Sequence, residues 1–346
     1  MPSVYELDLS ELATQVPGEP RYRVDQLWHG LWQESLALED ITTVPKVLRQ
    51  RLREQFRPSL EVANDVASDL GATRKWVFRL HDGATIETVL MGYADRVTVC
   101  VSSQAGCAMG CTFCATGQAG FSRQLSVGEV IEQVMFAARA AAPRRLSNVV
   151  FMGMGEPLAN YSVTVGVVKR LHEYRAMSAR HLTVSTVGVA PAIERLADEG
   201  LPLTLAVSLH AANNETRNEL VPLNRRYPLE RLYEACQKWI DTTSRRLSFE
   251  WALIDGVNDT DTAMHELADY AQGLRAHVNL IPLNPTPGYL VMGTRSERVH
   301  EFRQGLEDLG VNVTVRNTRG RSIDAACGQL AAVTNGHKSR VALRAR

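Results

Sequence analysis

The sequence has no excess of either charge. Lysine plus arginine number 38 and aspartate plus glutamate 38, so the formal net charge is zero. No global field draws in nucleic acid, and any RNA or DNA site has to be a local patch. No apolar run reaches the roughly 18 residues that cross a bilayer, so no membrane association is expected. The first residues, MPSVYELDLSELA, are acidic and lack the basic-then-apolar pattern of a secretion signal. The expected compartment is therefore the cytoplasm. No repeat or low-complexity tract stands out. Cysteine is scarce, with six in 346 residues. In a reducing compartment, cysteines that cluster suggest metal or catalysis before structural disulfides.

What is present is ample material for a core, 45% hydrophobic residues. The length suits one large domain with a small appendage, or two domains. Residues 1–70 read as a helical accessory domain. Val24, Leu27, Trp28, Leu31 and Trp32 share one helical face. In TTVPKVLRQRLREQF, Thr43 is the expected N-cap, and Val44, Leu48, Leu52 and Phe56 form a stripe. Lys46, Arg49, Arg53 and Arg57 add positive charge there, an ordinary solvated face or a contact for RNA phosphates. Residues 71–92 read as a β-hairpin extension, RKWVFRL and ATIETVLM joined by an Asp-Gly turn.

From about residue 93 to 335 strands and helices alternate, which implies a parallel sheet. The strand candidates are RVTVCVSS, NVVFM, HLTVST, LTLAVSL, LSFEWALI, HVNLIPL and VNVTVRN. One helix opens with a capping box, Ser126 and Glu129, and another stops near Gly200. Unusual residues recur just past the strand ends: a cysteine loop, GMGEP, STVG, SLH and NP. A (β/α) barrel builds its site from those ends, whereas an open doubly wound sheet concentrates it at one switch point. The expected fold is α/β, a partial (β/α)6-type barrel. Residues 336–346, within NGHKSRVALRAR, read as a basic, disordered tail.

The cysteine loop is CVSSQAGCAMGCTFCATGQAG, residues 100–120. Cys107, Cys111 and Cys114 have the spacing C-x-x-x-C-x-x-C. Structural zinc takes four ligands, often in C-x-x-C pairs, and no second pair is present. Three thiolates on a 4Fe-4S cube leave one iron open to an exchangeable ligand. S-adenosylmethionine (SAM) can chelate such an iron, and an electron can then split its sulfonium to a 5′-deoxyadenosyl radical.

The triplet with FCATG resembles the radical SAM enzymes, and the flanking runs resemble more narrowly the adenine carbon-2 RNA methyltransferases called RlmN. Those runs are GCTFCATGQAGFSRQL, VVFMGMGEPLAN, VSTVGVAP, SLHAANNETRNELVPLN, HVNLIPLNPTPG and IDAACGQL, in order over residues 87–330. The resemblance makes the barrel a radical SAM barrel and implies one 4Fe-4S cluster on Cys107, Cys111 and Cys114. Gly155 and Glu156, Ser185, Ser208, Leu209, His210 and Asn284 would form the SAM site. Taken alone, each reads as a strand-ending turn or cap. Cys327 would carry the methyl group, Cys100 would resolve it, and Glu87 would accept a proton. Taken alone, the two cysteines read as small buried hydrophobes and Glu87 as an outward strand residue. Cys236 matches no motif and reads as a helix-core residue.

The chemistry implied uses two SAM molecules per turnover. Cys327 takes a methyl group from the first by displacement. A radical from the second removes a hydrogen from that methyl group, and the carbon adds to the adenine ring. Glu87 or Cys100 removes the ring proton, and Cys100 attacks the sulfur of Cys327 to leave a transient disulfide. The implied partners are ribosomal RNA, transfer RNA and an unidentified electron donor, with the chain a monomer. Arg144, Arg145, Arg225, Arg226, Arg245, Arg246, Arg316, Arg319 and Arg321 are candidate phosphate contacts. Two other readings stay open: methylation at adenine carbon 8, and a zinc-stabilised RNA-binding protein without catalysis.

Overall fold

One ten-stranded sheet organises the chain, with strands 1–4 antiparallel and the rest parallel. The structure, a computed structural model, describes residues 3–284, 286, 291–316, 320–326 and 328–331. Cys327, Arg319 and the expected tail at 336–346 lie outside the described residues, as does the side chain of Arg321.

Helices α1 (Leu9–Thr14), α2 (Arg21–Trp32) and α3 (Lys46–Gln55) come first. Strands β1 (Glu61–Ser68), β2 (Thr73–Arg79), β3 (Thr85–Gly92) and β4 (Val97–Cys100) follow. The cysteine loop holds a small ladder of β5 (Gln104–Gly106) and β6 (Phe121–Gln124) around α4 (Ala115–Ala119). Then come α5 (Val127–Ala141), β7 (Asn148–Phe151), α6 (Tyr161–Glu173), β8 (Leu182–Thr186), α7 (Ala190–Ala197) and β9 (Thr204–Ser208). The chain continues through α8 (Asn214–Leu220), α9 (Leu229–Thr243), β10 (Ser248–Leu253), α10 (Asp261–Gly273), β11 (His277–Pro282), α11 (Ser296–Asp308) and β12 (Asn312–Val315).

Each parallel strand lies beside its predecessor, in the order β4-β7-β8-β9-β10-β11-β12. Right-handed crossovers in a steadily advancing order put every helix on one face. The other face becomes concave. Thr98, Asn148, Thr183, Thr204, Ser248, Asn279 and Thr314, one from each parallel strand, line a single cavity there. Among the described residues the sheet stays open at both edges, which makes it a partial barrel.

Two expectations need correction. Residues 1–70 are not all helical, because β1 pairs with β2 and widens the hairpin to three strands. EVANDVAS carries Glu, Ala, Asn and Asp, poor strand formers that the neighbouring strand's hydrogen bonds override. The helix at α3 starts at Lys46 after Pro45, with no side-chain cap, instead of at Thr43. Its apolar stripe is as expected, with Val44, Leu48, Leu52 and Phe56 all buried. The hairpin turn holds too: Gly83 has φ +84°, and Ala84 N–H donates to Asp82 Oδ1 at 3.0 Å. Ser126 and Glu129 form the capping box of α5.

The N-terminal helices do not stand apart from the barrel. Their core residues belong to the same hydrophobic cluster as the sheet and its helices. Trp32 packs edge-on to Tyr174, 5.1 Å between ring centroids, and Gly128 N–H donates to Glu6 Oε1 at 2.7 Å. Among the described residues, no helix is long and apolar enough to cross a membrane.

Candidate active site

The site begins where β4 ends. Ser102, buried, donates through Oγ to the carbonyl of Glu87 at 2.6 Å and accepts from Met154 N–H at 3.0 Å. This fixes the entry to the cysteine loop against β3 and against the turn after β7. Gly106 then needs to be glycine. Its φ is +78°, and a Cβ there would lie 2.0 Å from the Gly120 carbonyl oxygen. That same oxygen accepts from Cys107 N–H at 2.8 Å.

Cys107, Cys111 and Cys114 all line one pocket at the carboxyl ends of the parallel strands. Gly155, Glu156, Ser185, Ser208, His210 and Asn284 line it as well. Leu209 does not, because its side chain is buried in the main core. Its carbonyl instead accepts from Arg217 Nε at 3.0 Å.

Glu156 is more constrained than a free acceptor would be. Oε1 accepts from Leu158 N–H at 2.9 Å and Oε2 from Val187 N–H at 2.8 Å. The carboxylate thereby ties the end of β7 to the end of β8. Burial raises its pKa to about 7 despite those bonds. Its remaining lone pairs can accept from an amino group in the pocket. Gly155 supplies the turn, with φ +101° and no space for a Cβ beside Gln104.

His210 is held neutral. Burial, then the Arg217 charge, lowers its pKa to about 3. Ala252 N–H donates to Nδ1 at 3.0 Å, so the ring proton is on Nε2. Phe113, from the cysteine loop, packs edge-on to it with centroids 4.7 Å apart.

Glu87 and Cys100 point to the same concave face. Cys100 pairs with Val89, two residues from Glu87, and alternation along a strand does the rest. Both are buried. The outward reading of Glu87 is therefore wrong. β2 lies beside the strand in the same sheet and sends Lys75 to the same face, where its Nζ lies 3.5 Å from Glu87 Oε2 and donates to the Asp324 carbonyl of the C-terminal segment. Gly328 and Leu330, which follow Cys327 in sequence, line the pocket. Cys236 packs inside α9 and reaches no pocket residue's role, as its sequence suggests.

Sequence reasoning missed Arg217. It is fully buried and donates to the carbonyls of Leu209, Val187 and Ser208 and to Asn224 Oδ1. The three bonds to carbonyls bind the ends of β8 and β9 together just below the pocket. It stands in NNETRNELVPLN, where nothing but an arginine between two acidic residues marks it. Several candidate phosphate contacts are already engaged. Arg144 donates to the Tyr93 and Arg96 carbonyls, and Arg245 to the Leu203 carbonyl at 2.8 Å. Arg49 and Arg53 face Glu39 or its carbonyl.

The donor set fits an iron–sulfur cluster. Burial pushes Cys107 up to about 12 and Cys111 higher still, so a bare thiolate is disfavoured there. Iron charge would stabilise thiolate at such a position, and proton release would accompany binding. Among the described residues, no three His, Cys, Asp or Glu side chains gather as one metal ion requires. A cube instead takes each thiolate at a separate corner.

Comparison with known proteins agrees. Residues 101–268 match the radical SAM superfamily. The chain is 50% identical over 338 residues to a probable dual-specificity RNA methyltransferase RlmN of Frankia casuarinae, covering 93% of this chain and 80% of that one. A protein of the same name from Chloroflexus aurantiacus is 47% identical, covering 95% and 92%. The chain belongs to the RlmN family of radical SAM RNA methyltransferases. A crystal structure of a radical SAM methyltransferase from Sphaerobacter thermophilus superposes with a TM-score of 0.92 at 48% identity, covering 96% of this chain and 99% of that one. As an RlmN-family member the chain is a SAM-dependent radical methyltransferase acting on RNA, with a 4Fe-4S cluster and SAM as cofactors.

Proposed function

We propose that the chain methylates carbon 2 of a specific adenine in large-subunit (23S) ribosomal RNA and in transfer RNA. The observation that carries this is the convergence of three sulfurs, Glu156 and His210 in one pocket whose rim includes Gly328, beside Cys327. The name that the relatives share, a dual-specificity RNA methyltransferase, supports both RNA substrates.

Cys107, Cys111 and Cys114 would hold the cluster, and Glu156, Ser185, Ser208, His210 and Asn284 would hold SAM. When bound, cluster and SAM supply the one-electron cleavage that yields a 5′-deoxyadenosyl radical. Every other task falls to the chain. Cys327 receives the methyl group by displacement, which a thiolate does readily and a ring C–H cannot. Glu87 or Cys100 takes the proton from adenine carbon 2. Cys100 thiolate then attacks the Cys327 sulfur to form a disulfide; the carbon–sulfur bond breaks with its electron pair going to the methylene carbon, which takes up a proton and leaves as the methyl group of the base. The target adenine must leave its stack to reach so enclosed a site. Residues 1–70 act as an accessory domain that contacts the RNA, residues 93–335 as the radical SAM barrel. The enzyme works as a cytoplasmic monomer supplied by a separate electron donor.

The test is mass spectrometry of nucleosides from unmethylated ribosomal and transfer RNA, each treated anaerobically with reconstituted enzyme, SAM and reductant. 2-Methyladenosine in both is the expected result. 8-Methyladenosine would move the assignment to the carbon-8 enzymes. No methylated adenosine, with the cluster intact, would overturn it.

A further inference from the structure

Lys75 is a buried lysine that the reaction scheme leaves without a task. It lies on β2, opposite Val89 in the ladder, so it shares the concave face with Glu87 and Cys100. A lysine is almost never buried without partners, because its charge loses hydration. Its two partners are unlike each other. Nζ donates to the Asp324 carbonyl at 3.0 Å and lies 3.5 Å from Glu87 Oε2. The shorter contact is thus to backbone, three residues before Cys327.

That backbone is a tight loop under constraint. Asp324 has φ +51°, a left-handed conformation that costs a non-glycine residue about 1 kcal/mol. The Gly320 carbonyl accepts from Ile323 N–H at 3.2 Å and Ala325 N–H at 2.9 Å. Gly320 N–H donates to Asp69 Oδ2 at 3.2 Å, and Asp69 also accepts from Thr73 Oγ1 at 2.6 Å. The loop is therefore fastened to the start of β2 at one point and to Lys75 at another. Lys75 is where that fastening meets the expected proton acceptor.

We infer that Lys75 is a positioning residue that holds the Glu87 carboxylate and the backbone leading to Cys327 in one register. This rests on the roles proposed above for Glu87 and Cys327. A single cation shared between a carboxylate and a carbonyl fixes their separation better than two independent contacts would. The chemistry requires that separation, since the proton leaves the same ring that Cys327's methyl carbon joins.

The test compares Lys75→Met, Lys75→Arg and Glu87→Gln in reconstituted full-length enzyme. One readout is hydrogen–deuterium exchange of the anaerobic holoenzyme. Lys75→Met should exchange faster in peptides covering 85–91 and 320–326, while the parallel strands keep wild-type protection. The second is kinetic. Lys75→Met should lower kcat for RNA methylation by at least about tenfold. KM for RNA should stay within about twofold and methyl loading of Cys327 near wild type. Lys75→Arg, which keeps the charge and donors, should recover most of that loss. In a Glu87→Gln background, Lys75→Met should cost little more. Wild-type kcat and wild-type exchange in Lys75→Met would overturn the inference. So would equal losses in the Met and Arg variants with faster exchange throughout, which is the mark of a residue needed only for folding. If wild-type enzyme makes no methyladenosine, the proposed function fails while the exchange experiment still decides whether Lys75 holds the loop.

Discussion

Gly106 and Gly120 offer a matched pair for testing how the cysteine loop is built. Both have left-handed φ, +78° and +83°. A Cβ at Gly120 meets nothing within 4 Å, whereas one at Gly106 lies 2.0 Å from a backbone oxygen. Gly120→Ala therefore carries only the backbone strain, about 1–3 kcal/mol for a conformation (φ +83°, ψ −174°) that is essentially glycine's own. Gly106→Ala carries that strain and a clash between two backbones, neither of which can swing aside as a side chain can. Relief requires a displacement of more than about 1 Å, which strains packing by about 1–3 kcal/mol. It also threatens the 2.8 Å bond from Cys107 N–H to the Gly120 carbonyl, worth about 1 kcal/mol. The expected gap between the variants is about 2–4 kcal/mol of local stability. The assay is iron content after anaerobic reconstitution, with the rate of iron loss to a chelator. Gly120→Ala should hold close to the wild-type complement of about four irons. Gly106→Ala should lose iron at least about tenfold faster, since 1.4 kcal/mol of loop opening already amounts to tenfold. Equal iron retention and equal melting temperatures would refute the steric account.

Arg217→Met should destabilise the protein by about 2–4 kcal/mol, because it leaves three buried carbonyls and Asn224 without their donor. Calorimetry with S-adenosylhomocysteine should show affinity at least about tenfold weaker, as the ends of β8 and β9 lose their tie. Glu156 has a folded pKa raised to about 7 from an ordinary 4.5, so it favours folding below 4.5 and that benefit is lost as pH rises through 7. The loss amounts to about 3 kcal/mol, and Glu156→Gln should flatten that part of the stability–pH curve in denaturant titrations. Cys100→Ala should leave Cys327 methyl loading intact and accumulate protein–RNA adducts on denaturing gels, while normal turnover would remove Cys100 from its role. Cys236→Ala should cost only about 1–2 kcal/mol and leave methylation unchanged.

The seven parallel strands were legible because each is a short run rich in β-branched, aromatic or other apolar residues, and the alternation with helices determined their order. The site was legible because its residues stand just past those runs, where glycine and polar residues have no reason to recur in a packed core. The strand at Glu61–Ser68 was not legible, since its pairing comes from β2 and its own residues favour loops. Arg217 and Lys75 were hidden for a related reason. Neither cation's sequence neighbourhood marks it, and only folding shows that it is buried, Arg217 among carbonyls and Lys75 between a carbonyl and the Glu87 carboxylate. Of the paired arginines that read as candidate phosphate contacts, Arg144 and Arg245 also cap backbone carbonyls of their own fold, which the sequence does not show.

The described residues around Cys327 are held from two sides, and the two sides belong to different chemistry. On one side, Lys75 and Asp69 fasten residues 320–324 to β2, beside the expected proton acceptor. On the other, Ala115 N–H donates to the Gly328 carbonyl at 2.8 Å, and Thr116 Oγ1 to that of Leu330. Ala115 and Thr116 directly follow Cys114, the last of the three cysteines. Burial keeps the thiols of Cys107 and Cys111 protonated unless a metal binds them. Iron provides the opposing force, so the bonds from α4 to Gly328 and Leu330 should depend on the cluster. The two halves of the clasp then differ in kind: the β2 side is built by folding alone, and the α4 side is completed by metal. Removing iron should therefore raise hydrogen exchange in peptides covering 328–331 while 320–326 stays protected. Equal exposure of both would mean that the segment is one cooperative unit, and that the cluster positions Cys327 from both sides.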